Sequence, residues 1–197
     1  MEASLGPDRP HLAIVGMMGV GKTTVARLVA DRLGLPLVDT DAEIECQLGA
    51  SGKEYAAQHG VLRLHERETE IVVKALRSPN SSVITPAASA FDRPDLRGLL
   101  ADRSMVVWLR LGIDGLERRM TSGLHRRPMT HQELEDRMAE RAPLFESTAH
   151  LTLDADLAPE GLVEEVLAGV NRRLKSTQWP IKGQLEPGKE RDERGGR

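Results

Sequence analysis

"AIVGMMGVGKTTVARLVADRLG", running from Ala13 to Gly34, is the stretch on which the fold turns. It begins inside the short apolar run HLAIVG, a strand by composition and length. From Lys22 the apolar positions switch to helical spacing, and Gly34 supplies a natural stop. Between strand and helix, Gly16, Gly21, Lys22 and Thr23 satisfy G-x-x-x-x-G-K-[ST]. In that pattern glycines let backbone N–H groups close around phosphate oxygens, and the helix behind adds its N-terminal partial positive charge. The expected phosphate contacts are Gly16, Gly19, Val20, Gly21, Lys22, Thr23 and Thr24. Lys22 is placed to reach the terminal phosphates, and the Thr23 hydroxyl to ligate Mg²⁺. Strand, loop and helix together point to nucleotide binding; where the phosphate goes depends on the rest of the chain.

Outward from this stretch, strands and helices alternate. LPLVDT reads as a second strand, SSVIT as a third, MVVWLRL as a fourth and HLTLD as a fifth. Helices are expected after each: one opened by a capping box at Ser51 and Glu54 and ending near Gly60, then LRLHERETEIVVKAL, Asp95 to Leu100, DGLERRM, and Glu160 to Leu174. A second capping box, Thr130 with Glu133, opens a helix expected to end near Arg141. Five strands separated by helices imply an α/β fold with a parallel sheet and right-handed crossovers. Residues 1–10 read as a loose leader, 11–174 as the domain, and 175–197 as a charged tail with six Lys/Arg and four Asp/Glu and little to bury. The tail reads as disordered, with a docking peptide around Trp179–Ile181 as the alternative.

Composition removes several classes of function. Net charge is −3, giving no global attraction to nucleic acid or anionic membrane. Aromatic residues make up 3% of the chain, too few to stack bases along a strand. One cysteine, Cys46, precludes an intramolecular disulfide framework and fits a reducing compartment. No apolar run has the length of a membrane span, and MEASLGPDRPH lacks the layout of a secretion signal. The expectation is a cytoplasmic monomer acting on a small molecule, with no nucleic-acid or membrane partner.

VDTD puts Asp39 and Asp41 at the C-terminal edge of the second strand, where parallel sheets bind ligands. One acid is expected to orient towards Mg²⁺ and the other to accept a substrate hydroxyl. The competing reading makes Asp41 a helix N-cap and leaves Asp39 solvated.

With these motifs in place, residues 11–174 resemble the shikimate kinases, a P-loop family of the nucleoside-monophosphate-kinase-like fold. GMMGVGKTT, VDTDAEIE, the RRP turn at Arg126–Pro128 and ERAPLFE at Glu140–Glu146 carry the resemblance. It implies a five-stranded parallel sheet in the order 2-3-1-4-5, flanked by helices, with a lid and a substrate-binding helical segment after the second strand. It also implies an ATP- and Mg²⁺-dependent kinase that phosphorylates the 3-hydroxyl of shikimate, a step of aromatic amino acid biosynthesis. Residue by residue, Lys22, Asp41 and Arg127 take catalytic roles, Arg127 closing over the transferring phosphate. Thr23 and Asp39 take the metal side, Arg119 packs on adenine, and Asp41 and Arg141 hold substrate hydroxyls and carboxylate.

The substrate half departs from the family pattern. Aligned from Gly60, Leu64 and His65 stand where the family has Phe-Arg, and Glu68 keeps the acid. A bidentate guanidinium is replaced by an imidazole that is mostly neutral at pH 7. Arg63 or Arg67 could substitute, although two residues along a helix turn the side chain by about 200°, away from the site. His65 is expected either in the site or as a half-buried core residue. After the third strand, Ala87, Ala88 and Ser89 replace a glycine triplet behind Pro86, which brings Cβ atoms and one fewer N–H donor. Loss of one bidentate contact to a buried carboxylate costs roughly 2–5 kcal/mol. Shikimate is the leading acceptor, and a different hydroxylated metabolite is the alternative. The readings from other classes are a non-catalytic ATP-binding protein with a tail-mediated partner and a nucleoside-monophosphate kinase, for which no base-reading segment is visible.

Overall fold

The computed structural model describes residues 11–121 and 129–175. The leader, the tail beyond Lys175 and the RRP turn with Arg127 lie outside the described residues. The elements are β1 (His11–Val15), α1 (Lys22–Leu33), β2 (Leu37–Asp39), α2 (Thr40–Leu48), α3 (Gly52–His59), α4 (Val61–Leu76) and β3 (Val83–Thr85). A 3-10 turn (Ala88–Asp92) follows, then α5 (Pro94–Arg103), β4 (Ser104–Arg110), α6 (Ile113–Thr121), α7 (His131–Thr148), β5 (Leu151–Asp154) and α8 (Pro159–Lys175). All strand pairs are parallel, in the order β2-β3-β1-β4-β5. The expected sheet is therefore present, with the crossover helices on its faces. β1 is fully buried and β4 is buried from Ser104 to Leu109, which explains continuous apolar runs rather than alternation.

Both capping boxes form as the sequence predicts, at Ser51/Glu54 and Thr130/Glu133. The helix after Thr130 does not end near Arg141; it runs on through Pro143 to Thr148. Proline inside a helix costs about 3 kcal/mol. Phe145 offsets that cost: it is fully buried, with its ring edge-on to Phe91 at 4.8 Å and tilted against Trp108 at 5.9 Å. Carrying α7 past the proline also ties the helix that bears Arg141 to the turn after β3.

Two histidines, His11 buried and His150 partly buried, hold strand ends together. Val106 donates its amide to His150 Nδ1 at 3.0 Å, and Ser82 donates its amide to His11 Nδ1 at 3.2 Å. Each ring must present an unprotonated Nδ1 to do so. Burial, helped by the charge of Arg173, pushes His150 from 6.5 down to about 4, and burial also lowers His11. A histidine whose folded pKa is depressed binds more protons when unfolded. Stability should therefore rise with pH across the window from about 4 to 6.5 set by His150. The His150 contribution is about 2 kcal/mol after discounting for its half-exposed ring. Melting curves from pH 4 to 8 test this. His150→Asn keeps an acceptor without the titration and should flatten the acid limb; an unchanged limb refutes the assignment.

Candidate active site

The phosphate loop is shaped by close approach. Gly16 adopts φ 146°, and a Cβ there would lie 2.5 Å from the Leu109 carbonyl oxygen of β4. Gly19 adopts φ 84°, and its Cβ would meet Met120 Cγ at 2.8 Å. Both positions require glycine on conformation and on space. Lys22 opens α1 and turns back over the loop, donating from Nζ to the carbonyls of Gly16 at 3.1 Å and Met17 at 3.2 Å. The loop is thus curled around its own lysine, with the α1 N-terminus behind it.

Of the strand-two acids, only Asp39 lies in the strand. β2 ends at Asp39, and Asp41 already belongs to the first turn of α2, so they are not strand neighbours on one face. Asp39 is the N-cap: its Oδ1 accepts from the amides of Asp41 at 3.1 Å and Ala42 at 3.3 Å. Its Oδ2 accepts from the Thr23 hydroxyl at 2.7 Å. The reading with Asp41 as cap and Asp39 merely solvated is overturned, because Asp39 is buried and occupied on both oxygens. Freed from capping, Asp41 is exposed towards the cavity.

A cavity of about 450 Å³ opens between the phosphate loop, the β2–α2 junction, α4, the turn after β3, and α7. It brings together Gly19, Gly21, Lys22, Thr23, Thr24, Asp39 and Asp41 with His65, Ala87, Ala88, Ser89 and Arg141. Gly16 and Val20 shape the loop from beneath and do not line the cavity. His65 lines the cavity and is half-buried. Arg63 and Arg67 turn outwards and pair with Glu66 and Glu70 at 3.0 and 2.8 Å. Arg141 keeps 17% side-chain exposure and reaches Asp92 at 3.4 Å.

The alanine turn is less strained than its sequence suggests. Ala87 sits at φ −58° and caps the 3-10 turn, so a left-handed backbone is not needed there. The added hydroxyl is put to use: Ser89 donates to the Glu68 carboxylate at 2.5 Å. Glu68 is buried at the cavity floor, and burial pushes its carboxyl up against the opposing effects of Ser89, His65 and Arg141. The charge of Asp41 adds to the rise. Sequence reading kept Glu68 only as a matching acid; its spacing of three from His65 on an amphipathic helix was the signal for a shared face. Arg137, which also lines the cavity, was missed; its spacing of four from Arg141 carried the same signal.

Arg119 does not line this cavity. Its guanidinium braces the phosphate loop against the start of the β5–α8 connection, donating to the carbonyls of Val20 at 2.7 Å and Ala155 at 2.5 Å. Thr85, paired in register with Asp39, has a buried hydroxyl with no hydrogen-bond partner among the described residues. Thr23, Asp39 and Thr85 thus gather two hydroxyls and a carboxylate at one sheet edge. That set of hard oxygen donors fits a hydrated Mg²⁺.

A family model described as shikimate kinase matches residues 18–171. This chain belongs to the shikimate kinase family. A shikimate kinase of Symbiobacterium thermophilum is 33% identical over 171 residues, covering 84% of this chain and 96% of the relative. One from Xanthomonas campestris pv. campestris is 34% identical over 175 residues, covering 86% and 94%. Among solved structures, a shikimate kinase from Acinetobacter baumannii in complex with shikimate superposes with a TM-score of 0.71 at 26% identity, covering 86% and 94%. A gluconokinase from Sinorhizobium meliloti, TM-score 0.59 at 20% identity, shares the fold. As a shikimate kinase family member the chain is a phosphotransferase with an alcohol acceptor, and the non-catalytic and nucleoside-monophosphate kinase readings are not favoured. Among the described residues, no helix is long and apolar enough to cross a membrane.

Proposed function

We propose that this protein transfers the γ-phosphoryl group of ATP to a hydroxyl of shikimate. The observation that carries the reading is one cavity with phosphate-loop residues Lys22 and Thr23 at one end and Asp41 and Arg141 at the other. A nucleotide and a hydroxylated acid placed there would meet in line. The relatives named shikimate kinase, and the Acinetobacter structure holding shikimate, support the choice of acceptor.

In this reading Asp41 orients the acceptor hydroxyl and takes its proton as the oxygen attacks the γ-phosphorus and the bond to the β-phosphate oxygen breaks. Lys22 neutralises charge on the phosphate oxygens, and on sequence position Arg127 adds to it. Arg141 pairs with the acceptor carboxylate, and His65, Ala87, Ala88 and Ser89 shape its surroundings. Arg119 offers a fixed guanidinium plane at the outer side of the loop, suited to packing on adenine. Thr23 and Asp39 would hold Mg²⁺, which when bound spreads the negative charge of the phosphates. The catalytic unit is assigned to residues 11–174, acting as a monomer on a small molecule.

The test is ADP release from ATP and Mg²⁺ with and without shikimate. Strong stimulation by shikimate is expected. Stimulation by another polyol but not by shikimate would replace the acceptor, and no stimulation by any would remove the kinase reading.

A further inference from the structure

We propose that Arg137 supplies the second guanidinium that binds the acceptor carboxylate, so that both anchoring charges come from one face of α7. The inference rests on the proposed kinase reading and deepens it.

Arg137 and Arg141 lie one helical turn apart, and both line the cavity. Side chains at i and i+4 share a face of a helix, so the two guanidinium groups address the same space. Like charges at that spacing repel each other. An anion between them turns repulsion into two favourable contacts, and a planar carboxylate matches guanidinium geometry. The neighbours on α7 do not neutralise the pair. Glu133, one turn before Arg137, accepts from the Thr130 amide at 2.9 Å in the capping box. Among the described residues, no hydrogen bond or ion pair to Arg137 is formed, whereas Arg141 is steadied by Asp92.

The opposite wall explains why the charge is needed there. α4 presents Leu64, His65 and Glu68 to the cavity, and its two arginines face outwards in ion pairs. α4 therefore offers no fixed cation to an anionic ligand. Asp41 and Glu68 form an acidic wall that suits hydroxyl groups and repels a carboxylate. The cavity is thus divided: an acceptor would place its hydroxyls against Asp41 and Glu68 and its carboxylate against α7. A hydroxylated carboxylic acid fits this division; an uncharged polyol leaves the arginine pair unsatisfied.

The experiment pairs charge deletion in the protein with charge deletion in the ligand. Steady-state kinetics are measured with shikimate and with its uncharged methyl ester, for the unsubstituted enzyme, Arg137→Ala, Arg137→Lys and His65→Arg/Arg137→Ala. Arg137→Ala should raise KM for shikimate about tenfold while moving KM for the ester and for ATP less than twofold, within about a factor set by one charge-assisted contact. Arg137→Lys should recover part of the loss, and a guanidinium restored on α4 by His65→Arg should recover more of it. Equal effects on acid and ester, or no effect on either, would overturn the proposal while leaving the kinase reading intact. Absence of turnover with shikimate in the unsubstituted enzyme would overturn both. Far-ultraviolet circular dichroism and melting of each variant establish that α7 is retained.

Discussion

Lys22→Ala should lower shikimate-stimulated ADP release by about 10²–10³-fold, the loss seen when one preorganised charge contact to a transition state is removed. The structure gives a reason for so large an effect. The ammonium is already held inside the loop by the Gly16 and Met17 carbonyls at 3.1 and 3.2 Å. Little reorganisation is needed to bring it onto the phosphate oxygens, and no other described cation on the loop can replace it. The loss should leave the fold in place, because Lys22 is the first residue of α1 and half-exposed. The check is kcat for shikimate phosphorylation together with a thermal melt. Activity within tenfold of the unsubstituted enzyme, at an unchanged melting temperature, would remove Lys22 from the catalytic role.

Why the nucleotide side could be read from sequence and the acceptor side only in part follows from how each is built. The phosphate loop is local: Gly16 to Thr23 supply glycines, lysine and hydroxyl within eight consecutive residues, so spacing alone identifies it. The sheet order was similarly accessible, because alternating apolar runs and helical stretches restrict the crossovers, and the family resemblance supplies the rest. The acceptor site is assembled from the α2 start, α4, the turn after β3 and α7, which are far apart in the chain. Sequence reading recovered the members with family counterparts and placed Arg63 and Arg67 correctly on the outer face. It did not recover the Ser89–Glu68 bond, a contact across twenty-one positions that no periodicity announces. Nor did it foresee that α7 would override Pro143, since that depends on Phe145 finding Phe91 and Trp108 in the core. That the cap of α2 falls on Asp39 rather than Asp41 had the same origin. Which acid caps α2 depends on where β2 ends, and boundaries shift by one or two residues for reasons of packing.

The placement of the cap on Asp39 makes Asp41→Asn the sharper test of the chemistry. Because Asp39 carries the cap and the Thr23 hydrogen bond, Asp41→Asn leaves the cap of α2 in place. Asp41→Asn should therefore lower kcat by about 10²–10⁴-fold, the contribution of a positioned general base, at a nearly unchanged melting temperature. Asp39→Ala should behave differently, losing the cap at a cost of about 1 kcal/mol and weakening the response to Mg²⁺ at the same time. Glu68 is the competing base in the same cavity, and the two environments separate them. Glu68 is buried, bonded to Ser89 at 2.5 Å and pushed up by burial, whereas Asp41 is exposed beside the phosphate loop. A buried carboxyl bonded to a serine suits hydroxyl recognition, and an exposed acid beside the phosphate loop suits taking the proton. Glu68→Gln should then raise KM for shikimate more than it lowers kcat, through lost hydroxyl recognition. If Glu68→Gln abolishes kcat while Asp41→Asn leaves it within tenfold, the proton goes to Glu68, and Asp41 serves only to orient the acceptor.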